Sequence, residues 1–565
     1  MLHSSVCQAV PLSVTVEGVE GELYTNIEAR LKIFLQQTDP DITPREIRRL
    51  HKLAPEEIAE ALAPYGYYTV KVDSSISEGD EGWQALYRVT AGPLVIVEAL
   101  SVEVTGSGRE RSFFHDQATG FPLQPGDPLK DSLYEDGKKI ILTLAMTHGY
   151  VQARFTEHTI VVRPEQGKAE IKLLLDTGPL YHFGKTTSSQ DIITSELFYS
   201  FIPYREGDVY SLQSLNRLQS DLYSTGYFSQ VLVEPKFSGG QQDEIIPVEV
   251  SLLPAKRNRY SFGVGYGTDT GVRGSLGWNN RIINRFGHKP SFTMQLSERR
   301  NRVNADYVIP VFDPRYDKVS LDGQYLDETW DDTQTNLVAF GGSVNHNTPK
   351  NQYGVELEAR HESYTVGVTS GSADLLIPTG YWNFILAEDR INTRNGIRLS
   401  TSVKGADSAL LSSTSFIQFR LSSKAIVTPV ENWRILGRGT IGATAMESLD
   451  DLPPSLRFYA GGDQSVRGYG YKKLGPVDSS GVVVGGRYLM EGSIEVERRL
   501  TSIWSVAAFY DVGNAFDDIE ADLKQGAGVG VRLTLPFGQI RLDVASALSE
   551  DGYPLRVHLT VGADL

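Results

Sequence analysis

From Arg259 to the last residue the chain repeats one pattern. Runs of about ten residues alternate apolar with polar side chains, and ten residues is the length a tilted strand needs to cross a bilayer. Tyr260, Phe262, Val264 and Tyr266 share one face, with Ser261, Gly263 and Gly265 on the other. Tyr488, Met490, Ile494 and Val496 oppose Leu489, Glu491, Ser493, Glu495 and Glu497. Ala527, Val529, Val531, Leu533 and Leu535 oppose Gly528, Gly530, Arg532 and Thr534, and Leu555, Val557, Leu559 and Val561 oppose Arg556, His558, Thr560 and Gly562. About 16 such runs are present, an even number as bacterial barrels require. The last run reaches the C-terminus, as expected where a final strand closes against the first. Arg and Glu on one face of so many strands imply a large polar interior and disfavour a β-sandwich. Connections read as alternately short and long, and the longest lies between Met446 and Gly485. A loop of that length is functional or folds inward.

Averaged hydropathy cannot see such a barrel, because lipid-facing and lumen-facing residues cancel. The mean hydropathy of -0.23 therefore leaves a membrane location open. No stretch approaches 18 consecutive apolar residues, so no transmembrane helix is present. The 54 Gly, 27 Tyr and 22 Phe suit a barrel with aromatic girdles, and also a secreted all-β protein. A net charge of -16 argues against nucleic acid as a partner. Cys7 is the only cysteine, so no internal disulfide forms. Residues 1–9 read as the remnant of a signal peptide cleaved after Ala9.

The N-terminal half repeats a unit: amphipathic helix, Gly-aromatic step, two alternating strands, small-residue stop. The first has Ala61 to Tyr68 with Gly66-Tyr67, then strands at Thr69 to Val72 and Trp83 to Thr90. The second has Leu142 to His148, Gly149-Tyr150, then strands at Val151 to Phe155 and Ala169 to Leu175. The third has Leu215 to Thr225, Gly226-Tyr227-Phe228, then strands at Ser229 to Val233 and Ile246 to Leu252. Gly126-Asp127 and Gly207-Asp208 precede the second and third helices. The expected division is 10–93, 94–179 and 180–257 for the modules and 258–565 for the barrel. Gly66, Gly149 and Gly226 are placed to end each helix in a left-handed conformation. With so few strands per module a sheet edge stays exposed, which suits addition of a partner strand.

The tract Phe458-Tyr459-Ala460-Gly461-Gly462-Asp463-Gln464-Ser465-Val466-Arg467-Gly468-Tyr469 lies in the long loop. Asp511, in Phe509-Tyr510-Asp511-Val512-Gly513-Asn514, shares parity with Ser505 and Ala507 and should face the lumen, as should Glu495. An Arg467 reaching inward would meet both carboxylates and pin the loop. A solvated outer-loop arginine fits the spacing equally well.

The repeated unit resembles the POTRA domain. Val466-Arg467-Gly468-Tyr469 and the Phe509 to Gly513 stretch resemble the loop and strand motifs of the BamA/TamA/two-partner-secretion superfamily. That resemblance implies α+β POTRA modules, three here, followed by an all-β transmembrane barrel of 16 strands. It implies that Arg467, with Gly468 and Tyr469, packs inside the barrel against Asp511, with Glu495 as second partner, in a structural role. BamA carries five such modules and two-partner-secretion transporters two with a plug helix, so three modules resemble the TamA branch. Leu565 departs from the aromatic usual at the terminus. The resemblance further implies a bacterial outer-membrane location with periplasmic POTRA modules, and TamB, anchored in the inner membrane, as partner. Unfolded outer-membrane or autotransporter proteins would be clients, and outer-membrane lipid a contact. Export of a dedicated passenger, or a scaffold for TamB-dependent phospholipid transport, are the alternatives. The family mechanism implies a weak seam between first and last strands: Tyr260, Gly263 and Gly265 against Leu559, Val561 and Gly562. Glycines there bend or weaken a strand, or merely relieve crowding in the wall.

Enzyme readings fail on context. Gly526-Ala527-Gly528-Val529-Gly530 imitates a dinucleotide loop but begins a strand. No HExxH, Walker or G-x-S-x-G motif occurs, and the histidines lack metal-ligand spacing. No catalytic residue, metal or cofactor is expected.

Overall fold

The computed structural model describes residues 12–80, 82–114, 120–237, 244–267, 271–518, 522–536 and 538–562. The expected leader at 1–9 and Leu565 lie outside the described residues, as does the side chain of Tyr266.

Three small sheets precede the barrel, ordered β1-β3-β2, β4-β6-β5 and β7-β9-β8. Their strands are β1 (Leu12–Glu17), β2 (Lys71–Gly79), β3 (Gly82–Thr90), β4 (Ile96–Thr105), β5 (Arg154–Arg163), β6 (Lys168–Asp176), β7 (His182–Ser188), β8 (Phe228–Pro235) and β9 (Ile245–Pro254). Each sheet has three strands where two were expected. The opening strand of each unit pairs parallel with the central one, as β1 does with β3 and β4 with β6. These opening strands lie a helix or more away in sequence from their neighbours, so a local repeat does not reveal them. In the second unit the expected strand from Val151 begins instead at Arg154. Ala153 N donates to Tyr150 O and holds the preceding residues in a turn.

In the first unit the helix Pro44–Leu62 shows why the sequence folds as it does. Thr43 caps it by accepting from Glu46 N at 3.2 Å, a Thr-x-x-Glu start. Ile47, Leu50, Ala54, Ile58, Ala61 and Leu62 recur every three or four residues and are fully buried against Leu12, Val14, Trp83 and Tyr87. Each large apolar side chain so buried contributes about 1.5–3 kcal/mol.

The junctions between successive units repeat atom for atom. Gly66 O accepts from Val95 N at 3.0 Å, and Gly149 O accepts from Tyr181 N at 2.9 Å. Gly126 N donates to Val97 O, as Gly207 N does to Phe183 O, both at 2.8 Å. Gly66 has φ 88° and Gly149 φ 89°, and a Cβ on Gly66 would meet Leu129 O at 2.6 Å. Glycine is required there by both conformation and space.

The barrel domain is a 16-stranded sheet in sequence order. Its strands are β10 (Asn258–Gly267), β11 (Gly271–Asn280), β12 (Lys289–Ser297), β13 (Arg300–Pro310), β14 (Asp317–Trp330), β15 (Thr333–Asn347), β16 (Asn351–Val366) and β17 (Thr369–Ala387). They continue as β18 (Gly396–Ala406), β19 (Phe416–Val430), β20 (Trp433–Ala445), β21 (Tyr488–Arg499), β22 (Trp504–Phe516), β23 (Lys524–Leu535), β24 (Gly538–Ala547) and β25 (Leu555–Gly562). The faces fall as the alternation requires: Val529 is 63% exposed and Arg532 fully buried.

Two expectations are corrected. Strand length is not uniform: β14 to β17 run to 14, 15, 16 and 19 residues. Nor do short and long connections alternate throughout. The turns at 298–299, 331–332 and 367–368, on the same end as the long loop, have two residues, whereas 281–288 and 388–395 on the other end have eight. The long strands carry their hairpins past the ten or so residues that span a bilayer, so a tight turn closes them. There they meet the long loop: Lys473 pairs with Asp331 at 2.8 Å, and the Tyr459 ring packs edge-on to Trp330.

Candidate functional site

The loop at 446–487 folds into the lumen and is fastened to its wall by three separate side-chain clusters. The first centres on Arg467. Its Nε and Nη2 donate to the two oxygens of Asp511 at 2.7 and 2.9 Å, a bidentate fork, and its backbone N–H donates to Oδ2 at 3.0 Å. Nη1 donates to Glu495 at 2.7 Å and to Asp543 at 3.1 Å. The guanidinium lies 3.3 Å from the centre of the Phe509 ring. Arg532 closes the network, donating to Glu495 at 2.8 Å and to Asp543 at 2.5 Å. Arg467, Asp511, Arg532 and Asp543 are all buried. A guanidinium is suited to this position because its planar fork serves several carboxylates at once.

Gly468 and Tyr469 extend the contact. Gly468 has φ 99°, and a Cβ would lie 2.8 Å from the backbone of Ser546 and Ala547. Its N–H donates to His558 Nε2 at 3.0 Å, while Nδ1 of the same ring lies 2.5 Å from Asp463. One imidazole on β25 thus receives a loop N–H on one nitrogen and faces a loop carboxylate with the other. Tyr469 is buried, and its hydroxyl donates to Gln525 O at 3.3 Å.

The second cluster holds Lys472, a non-glycine residue with φ 57°. Its Nζ lies 3.4 Å from the centre of the Trp330 ring, near Tyr459 and Tyr471, and 3.3 Å from Glu328. Arg300 also pairs with Glu328 and donates to Tyr471 Oη at 2.8 Å. Burial pushes the Lys472 ammonium down, and the Glu328 carboxylate opposes that. In the third cluster Ser455 donates to the buried Glu362 at 2.5 Å, and Arg360 reaches the same hydroxyl at 3.0 Å.

Glu328→Ala strands two cations, Arg300 and Lys472, and is expected to cost about 2–3 kcal/mol. Lys472→Met keeps the stem against the rings and leaves Glu328 paired with Arg300, so about 1 kcal/mol is expected. Urea midpoints measure both, and a larger loss for Lys472→Met would overturn this ordering.

At the two ends of the sheet, β10 pairs with β11 and β25 with β24. Among the described residues no ladder joins β25 to β10, so the expected closure of last strand on first is not made by backbone bonds there. Tyr260, Phe262 and Val264 are 64%, 80% and 91% exposed, and Val561 is 56% exposed. A Cβ at Gly263 or Gly265 would meet only side chains of β11, and one at Gly562 nothing within 4 Å. Leu559 lines, with Arg273 of β11, a cavity of about 500 Å³ that the loop borders.

The structure therefore brings Arg467, Gly468, Tyr469, Asp511 and Glu495 into one cluster, and among the described residues makes no ladder between the two groups of seam residues. Sequence reading missed Lys472 within the loop, and Asp543, Arg532 and His558 in the network that holds it. The last two stand on the polar faces of their strands, but which strand neighbours the loop is a matter of register. Among the described residues no group of His, Cys, Asp and Glu is placed to hold a metal.

Residues 284–564 match the model of the Omp85 superfamily domain, and residues 13–91 that of the POTRA domain of TamA domain 1 type. The chain is 22% identical over 458 residues to the outer membrane protein assembly factor BamA of Nitratidesulfovibrio vulgaris, covering 76% of this chain and 55% of that protein. It thus spans about half the length of that curated relative. Its fold is similar to the crystal structure of Haemophilus ducreyi BamA lacking POTRA domains 1–3. The TM-score is 0.69 at 15% identity, over 83% of this chain and 99% of that one.

Proposed function

We propose, from the premise that this chain carries an Omp85 superfamily domain behind a TamA-type POTRA domain, that it is a non-enzymatic assembly factor of the bacterial outer membrane. In this reading it is of TamA type, its N-terminal modules stand in the periplasm, and TamB docks on them. It helps insert or translocate β-barrel clients of autotransporter type.

The observation that carries the reading is the unladdered seam between β10 and β25. Unpaired backbone N–H and C=O groups facing hydrocarbon cost several kcal/mol each, and barrels avoid this by full closure. A sheet whose two end strands, among the described residues, are each paired on one side only is therefore a template for an incoming strand. The client strand gains a ladder on each side, and the seam is relieved of its open edges. The loop clusters support the reading from the other side. They hold the lumen occupied, so a client is received at the wall and need not thread a pore. The exposed edges of the small sheets, β1 and β2 in the first, offer the same chemistry to an extended chain before it reaches the barrel.

Folding of a urea-denatured autotransporter barrel into liposomes, with and without the full chain, tests this. Faster folding is expected. An unchanged rate, with a control insertase active in parallel, overturns stand-alone insertion and favours a TamB-dependent role, including phospholipid transport.

A further inference from the structure

We infer that the lumen wall formed by β18, β19 and β20 carries a binding site for a phosphate-bearing small molecule. The observation is a row of like charges. Arg398 stands directly opposite Lys424, and Lys424 directly opposite Arg438, on three consecutive strands. Directly opposed residues on one face lie about 5 Å apart, so three cations fall within about 10 Å, an arrangement that destabilises a sheet. A chain with a net charge of -16 has carboxylates in excess, yet none stands in this row.

The row lines a cavity of about 370 Å³, shared with Ser400, Ser422 and Arg541. Besides Arg467, which is paired with Glu495 and Asp543, four cations border that cavity against three carboxylates. The carboxylates are engaged elsewhere: Glu495 and Asp543 by Arg467 and Arg532, and Asp463 by His558. Arg438 is partly compensated, donating to Ser465 O at 2.6 Å and lying 3.4 Å from Asp511. Arg398 is exposed to the cavity and makes no ion pair among the described residues. Positive charge collected in a low-dielectric cleft attracts an anion strongly.

The chemistry favours a phosphate ester over a carboxylate. A planar carboxylate saturates one guanidinium fork. A tetrahedral oxyanion with up to two charges presents enough oxygens for two guanidinium groups, an ammonium and the Ser400 and Ser422 hydroxyls. The volume exceeds that of bare phosphate and leaves room for a glycerol-sized ester group. All three cations lie in the part of their strands nearer the 388–395 and 431–432 connections, and the inserted long loop covers the cavity from its other side with Asp463, Gln464 and Arg467. Access is therefore from the end of the lumen opposite that loop. Both a lipid headgroup and a soluble phosphate ester satisfy this description. The inference does not depend on client assembly.

The test is isothermal titration of the full chain in a neutral detergent at fixed ionic strength. The probes are glycerol 3-phosphate and, separately, dihexanoyl phosphatidylglycerol, with glycerol and chloride as controls. Saturable one-to-one binding is expected, weakened at least tenfold in Arg398→Ser and in Lys424→Ser. Tighter binding of the ester identifies a soluble ligand, and tighter binding of the short lipid a headgroup. Because Arg398→Ser relieves repulsion, it is expected to melt no lower than the parent protein, and Lys424→Ser provides an independent variant. No saturable binding, or binding undiminished in both variants, overturns the site. So does a stronger response to an acidic peptide than to either phosphate probe.

Discussion

Arg467→Ala is expected to destabilise the barrel by about 3–5 kcal/mol, the loss that follows when one partner of a buried ion pair is removed. The substitution leaves Asp511 with Arg438 at 3.4 Å as its cation, beside the Ser493 hydroxyl and the residue 467 N–H, and Glu495 and Asp543 with Arg532 as theirs. Asp511 is fully buried, so water cannot replace the missing guanidinium. The damage extends beyond charge. The Arg467 guanidinium also stacks 3.3 Å from the Phe509 ring centre, and the next residue ties the loop to β25 through His558. Arg467→Lys keeps the charge but loses the fork, and is expected to recover less than half of the loss. Urea or thermal midpoints followed by heat-modifiable gel mobility measure this, and client folding should fall in parallel. An Arg467→Ala protein with the parent midpoint would show that the loop is held by the Lys472 and Ser455 clusters alone.

The second large effect concerns the seam. Cysteines at Gly263 and Thr560, joined by a short reducible bifunctional cross-linker in a Cys7→Ser background, are expected to abolish assistance to clients. Reduction is expected to restore it. A cross-linked pair of edges no longer separates to admit a strand between them. Residue 263 is a glycine whose Cβ would meet only Ser275 of β11, so the substitution itself is mild. Full activity with the cross-link in place, verified by mass spectrometry, would rule out entry of clients between β10 and β25. Loss of activity that reduction fails to reverse would mean the cysteines damaged the wall.

How much of this was legible in the sequence depends on distance along the chain. Alternation gave the faces of the strands, because side-chain period is a local property. That placed Asp511 and Glu495 inside the lumen. The left-handed glycines at 66, 149 and 226 were equally local, each set by the end of its own helix. The partners of the loop were not local. Lys472 meets Glu328 across 144 residues, and His558 meets Asp463 across 95. Nothing in the alternation of β13, β14 or β25 says that a loop will arrive there. The opening strands β1, β4 and β7 escaped for the same reason, since a parallel partner lies beyond an intervening helix. The lengths of β14 to β17 escaped because polar alternation continues smoothly from membrane into solvent, with no mark where the bilayer ends.

The junctions between the N-terminal units have a consequence for how such chains evolve. Each is made of main-chain hydrogen bonds at a glycine and a Gly-Asp turn, the same atoms at Gly66 and Val95 as at Gly149 and Tyr181. A connector written in the backbone makes few demands on the identity of its neighbours. A unit copied or deleted by recombination would find the next one presenting the same main-chain groups in the same places, with only a few side chains such as Tyr68 and Leu180 to accommodate. The number of units is then a variable that recombination changes readily. The barrel that follows them, whose Arg467 network couples residues from six strands and a loop, is inherited whole.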